Sequence, residues 1–150
     1  MTGIRIAWQW WVLVCDGSKA LLLRNEGDAD LLNLKIVEVF HEHHPPSRDI
    51  GSDRPGRVFQ SDAPARSATE ETDWHARAEA EFIARVAAEL DRVRHAQSMK
   101  HLVLVAPPKA LGVLRRQLTA PVAAIVEAEI DKDLAQLPLD AIEKHLAAEA

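Results

Sequence analysis

Trp10-Trp11-Val12-Leu13-Val14-Cys15-Asp16-Gly17-Ser18-Lys19-Ala20-Leu21-Leu22-Leu23-Arg24 is the stretch that decides the fold. A dense apolar run rich in β-branched and aromatic residues reaches Cys15, Asp16 to Lys19 supply turn chemistry, and Ala20 to Arg24 is apolar again. Two such runs separated by an Asp-Gly turn predict a β-hairpin. A second break, Asn25 to Asp30, leads into Leu32 to Phe40, where Leu34 and Ile36, continued to Glu38, oppose Val37 and Val39 in strand-like alternation. A third strand is therefore expected.

Beyond it the composition changes. From His41 to Ala68 there are three histidines and four prolines, Pro45, Pro46, Pro55 and Pro64, which exclude a long helix or strand and predict a long loop. Helical periodicity begins near Thr72, with Ser67-x-x-Glu70 and Asp73 as competing caps. Ala78, Phe82, Ile83, Val86, Leu90 and Val93 form one stripe, and Arg77, Glu81, Arg85, Glu89 and Arg92 the other side, with Arg77/Glu81 and Glu81/Arg85 at helical neighbour spacing. His101 to Ala106 reads as a fourth strand, stopped by Pro107-Pro108, and Pro108 can open a helix carrying Leu111, Leu114 and Leu118. Val122 to Ile130 reads as a fifth strand, and Pro138 opens a last helix with Leu139, Ile142 and Leu146 on one face.

The element order is βββαβαβα. Short turns favour an antiparallel meander for the first three strands, and helical crossovers favour parallel pairing for the later two. The expected product is an α/β domain spanning residues 1–150 with a mixed five-stranded sheet, an arrangement shared by ribonuclease H-like folds.

Composition narrows the function classes. At 150 residues and 47% hydrophobic content the chain can bury a core without disulfides, and its single cysteine, Cys15, gives no disulfide framework. The net charge of −5 is uneven: Met1 to Val126 carries 16 acids and 16 bases, whereas Glu127 to Ala150 carries seven acids and two bases. A neutral body with an acidic end argues against a broad nucleic-acid or membrane footprint, although not against a local basic patch. The apolar run from Ile4 to Val14 is too short to span a bilayer, and no signal peptide is read there, so a cytoplasmic protein is expected.

Several constellations could carry chemistry. A two-metal nuclease needs converging carboxylates; Asp16 could give the first and Glu79 or Glu81 the second, but the fourth strand ends in Ala106-Pro107-Pro108 with no carboxylate, which leaves the set incomplete. Asp16 then reads as a turn residue, with a weaker reading of Asp16-Gly17-Ser18 as an anion-cradling turn. His41, His43 and His44, with His75 and a carboxylate from Glu42 or Asp73, form a candidate metal cluster whose spacing matches no familiar ligand pattern; a solvated, titrating loop is the alternative. Cys15 lies in an apolar strand and reads as inert.

The loop is richer in arginine. Arg54 and Arg57 bracket Pro55-Gly56, with Arg48 and Arg66 outside them, and these could grip phosphate or carboxylate; Asp49, Asp53 and Asp62 nearly neutralise the segment, so a purely structural role stands beside a ligand or RNA contact. Lys109, Arg115 and Arg116 form a second basic group on the helix after the fourth strand, where solvated helix charge is the plainer meaning. Trp8 and Trp10 share a face, Trp11 points opposite and Trp74 opens the long helix; packing is the expectation for all four, with an exposed partner-binding patch as the alternative.

Trp11 to Ala20, Gly56-Arg57-Val58-Phe59, Thr72-Asp73 with Phe82, His101 to Leu118 including Leu111-Gly112, and Glu129 to Leu134 together resemble the bacterial family of proteins required for attachment to host cells. The resemblance covers Gln9 to Leu146 and rests on the order and spacing of these segments. It implies a small cytoplasmic protein distantly similar to the middle domain of archaeal and eukaryotic peptide-chain release factors. Those factors use a Gly-Gly-Gln tip; here the loop reads Gly56-Arg57-Val58-Phe59-Gln60, so their hydrolysis of peptidyl-tRNA does not carry over. No complete catalytic set is legible and no cofactor is implied. The leading expectation is a non-enzymatic binding or accessory factor that acts on attachment indirectly through an unidentified protein partner, with a homodimer through a sheet edge or helix face also open. A ribosome- or tRNA-associated factor and a metal-dependent hydrolase are the alternatives.

Overall fold

A computed structural model describes residues 4–42 and 68–148. The strands are β1 (Trp11–Cys15), β2 (Lys19–Asn25), β3 (Leu34–His41), β4 (Leu102–Ala106) and β5 (Val126–Asp131); the helices are α1 (Ala68–Gln97), α2 (Pro108–Gln117), α3 (Ala120–Ala123) and α4 (Leu139–Ala148). They build a mixed five-stranded sheet in the order β3-β2-β1-β4-β5. β1 pairs antiparallel with β2 and β2 with β3, while β1–β4 and β4–β5 are parallel. The expected meander and the two later crossover strands are thus both present.

Alternation sorts the strands onto two cores. Trp11, Leu13 and Cys15 of β1, Ala20 and Leu22 of β2, and Leu102, Leu104 and Ala106 of β4 face α1, α2 and α3. Val12, Val14, Leu21, Leu23, Val103 and Val105 face the other way, under Ile142 and Leu146 of α4 and the preceding Leu134 and Ala135. The predicted stripe of α1 is the one buried, through Phe82, Ile83, Val86, Leu90 and Val93. At about 25 cal/mol per Å2 of apolar surface, each such side chain adds ~1.5–3 kcal/mol of burial.

Four expectations need correction. α1 begins at Ala68 rather than near Thr72. Arg77, Glu81 and Arg85 do not pair with one another; Arg85 lies 5.4 Å from the Phe82 ring, and the helix pairs formed are Glu89–Arg92 and Asp91–Arg94. Val122 is in α3, not in a strand, because Thr119 caps a single turn there and β5 starts only at Val126. Finally, β3 is bulged: Leu22 faces Glu38 and Leu23 faces Ile36, which leaves Val37 as an extra residue and puts Val39, opposite Leu21, on the same face as Ile36. The loop predicted from His41 to Ala68 lies, from His43 to Ser67, outside the described residues.

The tryptophans divide. Trp11 is buried with the Arg24 guanidinium 5.3 Å from its ring, and Trp10 stacks on His101 at 5.0 Å. Trp8 and Trp74 are 63% and 51% exposed, so packing does not account for them. Trp8 belongs to a turn closed by a Trp10 N–H to Ala7 carbonyl bond, not to β1.

Asn25, at the end of β2, is the buried polar residue among the described ones. Its Nδ2 donates to the carbonyls of Ile6, Ala7 and Asp28, and its Oδ1 accepts from the N–H groups of Gly27 and Asn33. One amide thereby ties the N-terminal segment, β2 and the connection to β3. That tight packing needs a glycine beside it: a Cβ on Gly27 would sit 2.2 Å from the Leu31 carbonyl oxygen. Gly112, inside α2, has only the Arg116 Nη1 within reach, at 3.9 Å. Two alanine substitutions are therefore expected to act with opposite sign in denaturant unfolding. Gly27→Ala should cost about 1–3 kcal/mol, and Gly112→Ala should stabilise by about 0.5–1 kcal/mol; equal effects would contradict the packing described.

Candidate functional site

Two parallel neighbours, β1 and β4, end at the same edge of the sheet, and the turns that leave them build a crevice there. Beyond the carboxyl ends of adjacent parallel strands is where α/β sheets commonly receive ligands. After Cys15 the chain turns because Asp16 Oδ1 accepts the N–H groups of Ser18 and Lys19, both at 2.8 Å, while Asp16 Oδ2 accepts from Gln136 Nε2 at 2.9 Å. Asp16 is thus a turn residue held on both carboxylate oxygens. After Ala106 the chain enters α2 through Pro107, which has no side-chain capping bond and whose carbonyl accepts from the Leu111 N–H. The first turn of α2 contains no acidic residue of its own.

The space between these two turns measures roughly 420 Å3 and is completed by α1 and the residue after β3. It is lined by Asp16, Gly17, Ser18, Glu42, His75 and Glu79, together with Pro107, Lys109 and Ala110. Glu79 lies flat on Gly17: a Cβ there would come within 2.7–2.8 Å of the Glu79 carboxyl group. A side chain at position 17 would displace the flexible end of Glu79 and leave the α1 backbone where it is. Lys109 Nζ stands 3.9 Å from Glu79 Oε1, a loose and exposed pair.

The structure brings some of the sequence candidates together and separates others. Lys109 enters the crevice from the first turn of α2, but Arg115 and Arg116 are about 10 Å further along that helix. Arg115 is engaged by Glu129 of β5, through Nε at 2.8 Å and Nη2 at 2.6 Å, and this carboxylate holds its guanidinium more firmly charged than usual. Arg116 is exposed on the last turn. His75 lines the crevice, whereas His41 is exposed at the end of β3 and does not. His43, His44, Arg48, Arg54, Gly56, Arg57 and Arg66 lie outside the described residues. Among the described residues no three of His, Cys, Asp and Glu are arranged to hold a metal ion. Glu79, not Glu81, is the acidic residue of α1 that lines the crevice with Asp16.

Sequence reading missed Gln136, which docks the segment after β5 onto the Asp16 turn, and Glu143, whose Oε2 accepts the Leu34 N–H at 2.6 Å and fastens α4 to β3. Long-range polar contacts of this kind leave no periodic trace. The crevice itself had a signal: an Asp-Gly turn after one buried strand and Pro-Pro after another become neighbours once the two strands are parallel.

Comparison with known proteins places the chain in a family. The family described as "Protein required for attachment to host cells" matches residues 11–146, and the chain belongs to it. A relative of 41% identity over 61 residues is the uncharacterised protein RP470 of Rickettsia prowazekii (strain Madrid E). That match covers 39% of this chain and 41% of the relative. No described helix is long and apolar enough to cross a membrane.

Cys15 sits one residue from the crevice yet is closed to it. Burial, aided by the Asp16 charge, pushes its thiol up to about 12 from 9.0. The raised value means that the thiol stays neutral in the folded chain while the unfolded chain ionises, so the contribution of Cys15 to stability should be flat below pH 9 and fall between pH 9 and about 12. A thiol reagent at pH 8 should leave the native protein unlabelled and label it once in denaturant; rapid native labelling would contradict the burial.

Proposed function

We propose that this chain is a non-enzymatic binding domain that works in the cytoplasm and affects attachment indirectly, and that the crevice at the ends of β1 and β4 is where it receives its ligand. The observation that carries the reading is the Gly17–Glu79 contact. The missing Cβ at Gly17 leaves room for the Glu79 carboxyl group over the turn, and that side chain borders a polar, open crevice. Asp16 is consumed in shaping the turn and Cys15 is closed off, which favours recognition over nucleophilic or two-metal chemistry. The strand order β3-β2-β1-β4-β5 supports a ribonuclease H-like sheet related to the release-factor middle domain. Fold kinship alone assigns no activity.

The test is complementation of a strain lacking the protein. Gly17→Val evicts Glu79 and narrows the crevice without touching either core. The variant is expected to melt within a few degrees of the wild type yet fail to restore attachment, and the wild-type protein should fractionate with the cytosol. Full restoration by Gly17→Val would remove the crevice from the function, and recovery of the protein at the cell surface would overturn the indirect role. Salt-sensitive co-sedimentation with ribosomes would replace this reading by the translation-associated one.

A further inference from the structure

We infer that β3 is a self-complementary edge through which two copies of this chain pair, antiparallel, into one continuous sheet. β3 has β2 on one side, and its other edge forms no hydrogen bond with the rest of the described chain beyond the Leu34 N–H held by Glu143. A long unpaired edge is a template for another strand.

The bulge sets the register in which β3 can pair with a copy of itself. In a two-fold antiparallel pair, opposed residues must lie on the same face of the sheet. A regular alternating strand meets this condition only when the axis passes through a residue. In β3, Leu34, Ile36 and Val39 oppose Asn25, Leu23 and Leu21 on the α4 face, and Lys35, Glu38 and Phe40 oppose Arg24, Leu22 and Ala20 on the α1 face, where Val37 also packs. The facing pattern from Lys35 to Phe40 therefore reads the same in both directions about the point between Val37 and Glu38. With the axis there, Ile36 opposes Val39 of the second copy, and the reverse, joining apolar side chains that are 48% and 44% exposed. On the α1 face Lys35 falls diagonal to Glu38 of the other copy. Lys35 has no ion pair among the described residues, and Glu38 meets Arg92 only at 3.9 Å.

The opposite edge of the sheet offers nothing comparable. β5 carries three exposed acids, Glu127 at an irregularity and Glu129 and Asp131 together on the face of Leu104 and Ala106, and self-pairing would bring like charges together.

Sedimentation equilibrium over a wide concentration range tests this. The wild type should show a reversible monomer–dimer equilibrium. Lys35→Glu and Glu38→Lys should each weaken it by about tenfold, because each change acts twice in a two-fold dimer, and the double reversal should restore it. In the Ile36→Cys, Val39→Cys variant, oxidised glutathione should produce a covalent dimer, since opposed Cβ atoms stand about 4.5–5.5 Å apart. A monomer at every concentration would overturn the proposal. So would a dimer that ignores the charge reversals, for its interface would lie elsewhere.

Discussion

The pairing of β1 with β4 is the constraint on which the rest of the structure depends. Every residue from Trp11 to Cys15 and from Leu102 to Ala106 is buried, on both faces. Strands of this kind have no solvent face, so the chain must supply a helical layer on each side, and it does so with α1, α2 and α3 above and α4 below. The same parallel alignment brings the turn after β1 beside the entry to α2. The crevice is thus a geometric consequence of two apolar strands ending level with each other, and its polar residues decorate a position that the core has already created.

Much of this was legible because apolar runs and apolar stripes are local signals. The Trp11–Cys15 and Leu102–Ala106 runs, the α1 stripe through Phe82, Val86, Leu90 and Val93, and the Asp16 turn could all be read directly. Illegibility began where tertiary contacts override periodicity. The bulge at Val37 shifts Val39 onto the face of Ile36 and cannot be told from plain alternation without β2 alongside. The single turn at Ala120 to Ala123 hid inside a valine- and alanine-rich stretch that reads equally well as strand.

The site was legible in its parts and not as a whole. Asp16, Glu79, His75 and Lys109 were each singled out, but in four separate readings: a nuclease set, a phosphate turn, a histidine cluster and a basic helix. The fold places them around one crevice and leaves each with only a fragment of the chemistry those readings required. Membership of the attachment family, by contrast, was visible from short segments in fixed order, because such spacing is set by the strands and turns that the core demands.

The distance along the chain between β1 and β4 also has a history in synthesis. Trp11 pairs with Leu102, about ninety residues later, whereas β1, β2 and β3 succeed one another within the first forty-one. The meander can form early from local contacts, but the buried strand β1 then has one edge without its partner. At about 5–20 residues per second, the ribosome needs roughly 5–18 s to make the missing strand. Throughout that interval the edge of β1 that β4 will cover stands open, a template for unwanted pairing.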